Sequence, residues 1–228
     1  MSERYYYAVA RTAELENKLL SRAKLEQLTE APDALSALRA LSGTVYAEGA
    51  DVLQKPEAFE DLLTAQTRAV LSYIREVCPD KALADLYLIA YDIFNLKVLL
   101  RCEKLGEDPV RLMSALGIYE PPTLRDAFSN GDFSKYPHAV GEAVATVRKA
   151  LSAGSSVSVI DLTLDRAQYA AQLDYAKKCR NEFIVNYVRV SIDLANLRDF
   201  LRTRTGGKGV FYAVFIEGGT LPVEFFDD

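Results

Sequence analysis

The sequence has 228 residues, half of them hydrophobic, and its 27 lysines and arginines against 32 aspartates and glutamates give a net charge of -5. A chain of this length can bury one large core or two modest ones of about 100 residues each. The acidic balance excludes a basic field that would attract nucleic acid or an anionic membrane surface, so we expect no nucleic-acid partner. Cysteine is sparse and odd in number, which fits free thiols in the cytoplasm better than a disulfide framework.

The N-terminal segment lacks the apolar core of a signal peptide, and no run of the sequence approaches the ~20 apolar residues that a membrane span needs. We therefore expect no transmembrane segment, so any membrane role is peripheral. Tyr5, Thr12, Leu15 and Leu19 predict the apolar stripe of a first helix.

The tyrosines at the N-terminus cannot all share that stripe. Tyr6 and Tyr7, together with Arg11, are therefore possible interface residues, because amphipathic rings are favoured where proteins meet. For any one tyrosine, however, core packing is the favoured interpretation, and we expect at least one of them in the core.

Helical periodicity dominates the rest of the chain. Apolar residues at steps of three and four predict amphipathic helices from Phe59 to Val77 and from Val140 to Leu151. Two longer apolar seams consist of Ala82, Leu86, Ile89, Ile93, Leu96 and Leu100, and of Phe183, Tyr187, Val190, Leu194, Leu197 and Leu201. Such seams pack against antiparallel neighbours in helical bundles, so we expect both to be covered.

A ten-residue motif occurs twice within these two seams. Residues 92–101 read D-x-x-N-L-K-x-x-L-R, and residues 193–202 read D-x-x-N-L-R-x-x-L-R, at an offset of 101 residues. A repeat at domain-sized spacing indicates that one structural unit was duplicated. The sequence thus predicts an all-α fold of repeated helical-bundle modules.

Helix-stop signals set the predicted module boundaries. Gly106 and Pro109 end the first motif helix and start a new segment, and a glycine-rich run follows Thr205. We predict a first module at 1–106, a second at 107–205, and a linker beginning at 206. The strand-like run 210–216 is expected to continue as a helix or an extended arm, because a single strand has no sheet to join.

The polar residues of the motif need hydrogen-bond partners if the helices are buried. We expect the acidic and amide members to bond a loop backbone or the start of an adjacent helix rather than a partner protein; they are Asp92, Asn95, Asp193 and Asn196. For the less buried basic members we expect solvation or pairing within the module; they are Lys97, Arg101, Arg198 and Arg202.

Catalytic signals are weak, and we expect no catalytic, cofactor-binding or metal-binding residues. His138 is the single histidine, so it cannot build a common zinc site, and the segment 206–209 fails the phosphate-loop pattern. Asp161 and Asp165 lie four residues apart at a predicted helix start, where the helix dipole favours acidic side chains. An all-helical metal-dependent enzyme that uses this pair, or Asp92 with Asp193, is the alternative.

Several segments occur in the order found in one protein family: Tyr5-Tyr6-Tyr7-Ala8-Val9-Ala10-Arg11 leading to Lys18-Leu19-Leu20-Ser21, the two motif helices, and Phe215-Ile216-Glu217-Gly218-Gly219. The chain resembles the C subunit of the archaeal and bacterial V-type (A-type) rotary ATPases, which is called the d subunit in the eukaryotic vacuolar enzyme. The resemblance runs from Tyr5 to Gly219. It implies a funnel of helical modules around a pseudo-threefold axis.

The resemblance also implies a function without an active site or a cofactor. In that family the funnel sits on the cytoplasmic face of the membrane, binds the proteolipid rotor ring and receives the axle subunits of the central stalk. It couples their rotation for ion transport linked to ATP hydrolysis or synthesis. A helical-repeat scaffold of another complex is the second alternative to this role.

The family pattern has three modules, and the Gly-Gly segment normally opens the third. This sequence continues for nine residues after Gly219. We therefore interpret 206–228 as a linker and the start of a third module that is missing or truncated.

Overall fold

The structure is a computed structural model that describes residues 5–47, 59–206 and 208–227. Every regular element in these ranges is helical, which confirms the predicted all-α class. The chain divides into two compact units, Met1–Lys81 and Ala82–Asp228. All three cysteines are free thiols.

The described part of the first unit contains three short helices and one of 19 residues, with few buried side chains. Its helices are α1 (Tyr6–Glu16), α2 (Arg22–Thr29), α3 (Ala34–Ala40) and α4 (Phe59–Val77). Ser21 and Asp33 cap α2 and α3 by accepting hydrogen bonds from main-chain N–H groups, as N-cap side chains do. Among the described residues of this unit only Leu62 is buried.

The second unit contains the longest helices and most of the core. Its helices are α5 (Lys81–Leu105, beginning at the last residue of the first unit), α6 (Pro121–Asn130), α7 (His138–Ser152), α8 (Ser158–Lys178), α9 (Glu182–Thr203) and α10 (Lys208–Val214). Single 3-10 turns lie at Val110–Leu112, Arg204–Gly206 and Val223–Phe226. Gly131, at a φ of 71°, ends α6 in the left-handed conformation that favours glycine.

The first apolar seam lies in the centre of this core, as predicted. Leu86, Ile89, Ile93, Leu96 and Leu100 are all at most 1% exposed, and they form one hydrophobic cluster with side chains of α6, α7 and α8. The Gln172 amide donates to the Leu86 carbonyl oxygen at 3.1 Å, whereas Arg101 contacts Asp161. Helix α5 therefore runs antiparallel to α8.

The second seam differs from the prediction. Its six residues, Phe183, Tyr187, Val190, Leu194, Leu197 and Leu201, are exposed by 42% to 74%. Helix α9 instead buries the face that contains Val188, Ile192, Asp193, Ala195 and Asn196. The physical reason is the order of the helices: α6 to α8 follow α5 and cover its seam, whereas α8 and the described chain after α9 pack on the other face of α9.

That covering segment contains the strand-like run of the sequence, which is helical from Lys208 to Val214 in α10. Phe211 of α10 contacts Phe200 of α9, with ring centroids 5.3 Å apart, and Ile216 is buried.

Gly106, at a φ of 74°, follows the last residue of α5. The predicted module boundaries after Gly106 and Thr205 stay a prediction.

The two equivalent seam positions Ile93 and Leu194 allow a direct test of this difference. Ile93→Ala should lower the free energy of unfolding by about 2–4 kcal/mol, because it leaves a cavity in the core. Leu194→Ala should change it by less than about 0.5 kcal/mol, because the side chain is exposed. Urea unfolding followed by circular dichroism measures both, and equal losses would contradict the observed burial.

Candidate functional site

The Asp and Asn of the first motif hold the loop that follows α5. The Asn95 amide donates to the Ser114 carbonyl oxygen at 2.8 Å and accepts from the Ser114 N–H at 2.7 Å. The Asp92 carboxylate accepts from the N–H groups of Ile118 and Tyr119 at 2.9 and 3.3 Å. Both motif side chains are fully buried. We call Asp92, Asn95 and residues 114–119 the first clamp.

The second motif holds its own loop in the same way. Asn196 donates to the Ile216 carbonyl oxygen and accepts from the Ile216 N–H, both at 2.8 Å. Asp193 accepts from the N–H groups of Thr220 and Leu221 at 2.8 and 3.0 Å, and from the Thr220 hydroxyl. We call Asp193, Asn196 and residues 216–221 the second clamp. Each motif thus supplies the acceptors and donors that its loop backbone would otherwise lack.

A glycine allows the loop to approach the carboxylate in each clamp. A Cβ atom added at Gly117 would lie 2.1 Å from Asp92 Oδ1, and one added at Gly219 would lie 2.1 Å from Asp193 Oδ1. Such distances leave no room for a side chain at either position. Sequence reasoning missed these partners, although the two glycines are 102 residues apart, one residue more than the motif offset.

Gly219 packs against the second motif. The interpretation of the Gly-Gly segment as the opening of a third module stays a prediction. The Gly219 carbonyl oxygen also accepts a hydrogen bond from Arg189 Nη2 at 3.1 Å. The segment is thus bound to α9 through both its N–H groups and its carbonyl.

Aromatic rings shelter the first clamp from water. The rings of Tyr119 and Tyr136 have centroids 4.1 Å apart, and the Tyr119 hydroxyl donates to the Lys135 carbonyl oxygen at 2.6 Å. Burial raises the pKa of Tyr136 to about 12, with smaller contributions from Tyr119 and Asp92. The direction of this shift shows that the surroundings of the Tyr136 hydroxyl disfavour its charged form.

The basic residues of the first motif form ion pairs with α8. Lys97 Nζ lies 2.6 Å from Asp165 and 3.5 Å from Asp161, and Arg101 Nη2 lies 2.6 Å from Asp161. The Arg101 guanidinium group contacts both Asp161 oxygens. These contacts fasten α5 to α8 through two carboxylates that are four residues apart.

The equivalent basic residues of the second motif have a different partner. Arg198 and Arg202 each lie 3.2 Å from one oxygen of Asp199, which is on their own helix. Their side chains are 66% and 67% exposed, whereas that of Lys97 is 17% exposed. The hydrogen bond from Arg198 to Asp199 raises the pKa of Arg198.

The carboxylates of the metal-enzyme alternative are occupied by other groups. Asp161 and Asp165 bind Lys97 and Arg101, and Asp92 and Asp193 accept N–H groups in separate clamps. In the described part of the chain, no group of three or more His, Cys, Asp or Glu side chains could hold a metal ion.

The other weak catalytic signals lie at the surface or at a helix junction. His138 is exposed and lies 3.2 Å from Glu142. Gly206 belongs to a 3-10 turn and Gly209 to α10. Residue 207 and the side chain of Lys208 lie outside the described residues.

The possible interface residues of the N-terminus lie together on α1. Tyr6 and Tyr7 are 56% and 63% exposed, and Arg11 lies 3.9 Å from Glu14 across a half-exposed ion pair. No residue of α1 is buried. The stripe predicted for the core therefore borders solvent within this unit, and an interface role for these three residues stays a prediction.

Comparison with known proteins links this architecture to one family. The sequence model of the family described as ATP synthase (C/AC39) subunit matches residues 8–228, a range that includes both clamps. The C subunit of a V-type sodium ATPase from Enterococcus hirae is 24% identical over 215 residues. The alignment covers 91% of this chain and 63% of the relative, so the chain spans less than two thirds of the relative's length.

Placing a methyl group in either clamp should loosen it. Gly117→Ala and Gly219→Ala should each lower the free energy of unfolding by about 1–3 kcal/mol, because the added Cβ collides with a carboxylate that cannot move without losing its hydrogen bonds. Gly209→Ala is the matched control, since a Cβ there meets no atom within 4 Å. Thermal melting that is the same for all three variants would refute the close approach.

Removing the clamp amides should release each loop separately. Asn95→Leu leaves the Ser114 N–H and carbonyl without partners, and Asn196→Leu does the same to Ile216, at a cost of about 2 kcal/mol each. We expect faster amide hydrogen exchange at Ser114 in the first variant and at Ile216 in the second. Each variant is the control for the other, and unchanged exchange at both sites would mean that the amides do not hold the loops.

Proposed function

The chain belongs to the ATP synthase (C/AC39) subunit family, and we propose that it is a non-catalytic adaptor of a V-type rotary ATPase. In this role it connects the axle subunits of the central stalk to the proteolipid rotor ring. It passes rotation between them for ion transport linked to ATP hydrolysis or synthesis. It would work as a peripheral protein on the cytoplasmic face of the membrane.

The duplicated clamp is the observation that carries this proposal. An adaptor that transmits torque must keep its helices and loops in one arrangement while force is applied across it. Packed interiors resist deformation, and buried, fully bonded polar groups fix one arrangement of the elements they join. In both clamps the amide of a buried Asn donates one hydrogen bond to the main chain of a loop residue and accepts another from the same residue.

The ion pairs of α5 support the same mechanical role. Lys97 and Arg101 join α5 to α8 next to the buried seam, and Arg148 joins α7 to Glu103 of α5 at 2.8 Å. Charge pairs that connect different helices at the rim of a core oppose sliding along the helix axes, even where each pair adds less than about 1 kcal/mol.

Peripheral attachment is consistent with the described helices. Among the residues that the structure describes, no helix is both long and apolar enough to cross a membrane. Contact with a rotor ring would then involve exposed side chains, and Tyr6, Tyr7 and Arg11 on α1 are our candidates. Their amphipathic and charged character suits an interface with polar loops.

The decisive test is reconstitution of the purified chain with the axle subunits and the rotor ring from the same cell. We expect the chain alone to hydrolyse no ATP and to bind both partners, with binding that weakens as salt rises because the contact is partly electrostatic. Co-sedimentation with ring-containing vesicles measures the second interaction. Failure to bind either partner, while a full-length homologue binds in parallel, would contradict the proposal.

Variants of α1 make this test specific to the candidate residues. The double substitution Tyr6→Ala and Tyr7→Ala should weaken binding roughly tenfold and leave thermal stability unchanged, because both rings are exposed. Leu105→Ala is the control, since Leu105 is 68% exposed at the end of α5. Equal binding by both variants would remove α1 from the interface.

A further inference from the structure

Arg166 of α8 binds the carbonyl oxygens at the end of α10. Its Nη2 atom donates to the carbonyl oxygen of Ala213 at 2.6 Å and to that of Tyr212 at 3.5 Å, and its Nε atom donates to that of Phe215 at 3.0 Å. The last carbonyl groups of a helix have no partner within the helix. Arg166 therefore supplies the donors that the end of α10 lacks, and its positive charge suits the negative end of the helix dipole.

The sequence of α10 makes this helix dependent on such contacts. Its seven residues, Lys208–Val214, include Gly209 and two valines, which lower helix propensity. A helix this short is not stable by itself in water, so it forms only where tertiary contacts hold it. Two such contacts are the buried ring of Phe211, which packs on Phe200 of α9, and the guanidinium group of Arg166.

The first copy of the repeat has the corresponding segment without such an arginine. At the offset of 101 residues, α10 corresponds to 107–113, and Arg166 corresponds to Ala65, which has no side-chain donor. That segment contains a single 3-10 turn, Val110–Leu112, and no α-helix. The clamps that follow the two segments bind their loops in the same way. The difference between the copies therefore lies before the clamp, where Arg166 makes its contacts.

Helix α8 also holds the first motif. Asp165, next to Arg166 in the sequence, lies 2.6 Å from Lys97, and Asp161 lies 2.6 Å from Arg101. Neighbouring residues of an α-helix point about 100° apart, so α8 can bind α5 on one side and α10 on another. One helix thus contacts the first motif through Asp161 and Asp165, and the segment after the second motif through Arg166.

We propose that Arg166 is the positioning residue of the second clamp. It orders α10 as a helix and fixes the direction in which the chain enters the clamp at Ile216. It also joins this segment to the helix that holds the first motif, so the two copies of the motif are connected through α8. The proposal is independent of the rotor role, since it rests on hydrogen bonds within this chain.

Site-specific hydrogen exchange in the full chain tests this role. Arg166→Met keeps most of the apolar stem and removes every donor. The Phe215 N–H, which bonds the Phe211 carbonyl oxygen at 2.9 Å, should then exchange about tenfold faster, because α10 opens more often. Arg166→Lys keeps the charge and a donor, so exchange at Phe215 should stay within about threefold of the rate in the unsubstituted chain.

Two controls separate this role from a general loss of stability. Exchange at Ile118, whose N–H bonds Asp92 in the first clamp, should be the same in all variants. Lys177→Met, at an exposed basic residue of the same helix, should leave exchange at Phe215 unchanged. Unchanged exchange at Phe215 in Arg166→Met would overturn the proposal. Equal acceleration at Phe215 and Ile118, or equal acceleration by the Met and Lys variants of Arg166, would also overturn it.

Discussion

The fold of the second unit depends on two buried amides that must bond a loop backbone. Asn95 and Asn196 lie in the middle of long helices with no exposure to water. At such a site an amide without hydrogen-bond partners would lower the stability of the fold. Each is satisfied by both main-chain groups of one loop residue, Ser114 or Ile216. The loop therefore has one permitted path across its helix. The carboxylate of Asp92 or Asp193 then accepts hydrogen bonds from the next loop residues. Only glycine fits in the loop next to that carboxylate, at Gly117 and Gly219.

The two copies of the motif make the same clamp in different surroundings. The first copy lies under α6 to α8, so its seam is buried and its basic residues bind carboxylates of α8. The second copy leaves its seam exposed and binds its arginines to the same helix. The clamp thus depends on the motif and its following loop alone, whereas the seam depends on what packs against it. A repeated sequence need not have a repeated environment.

This separation suits the connecting role that we propose for the chain. The clamps join each long helix to its loop, and beside the second clamp the apolar seam and the two arginines of α9 are exposed. The chain belongs to the ATP synthase (C/AC39) subunit family, and it spans 63% of its relative from a V-type sodium ATPase. The proposed connection between rotating parts would require stiffness inside the protein and complementary contact faces.

The sequence by itself determined the all-α class, the positions of the main helices and the repeated motif, because apolar periodicity and motif spacing are local properties of the chain. The order of its segments also indicated the family, by resemblance. The sequence also indicated that Asp92 and Asn95 need backbone partners. It did not identify Ser114 or Gly117, since a helix of 25 residues can be approached by many loops. Only the tertiary structure decided which loop is bound, that Asp161 and Asp165 pair with Lys97 and Arg101, and that the second seam is exposed. Burial is a relation between segments distant in sequence, so two similar seams such as those of α5 and α9 can have opposite environments.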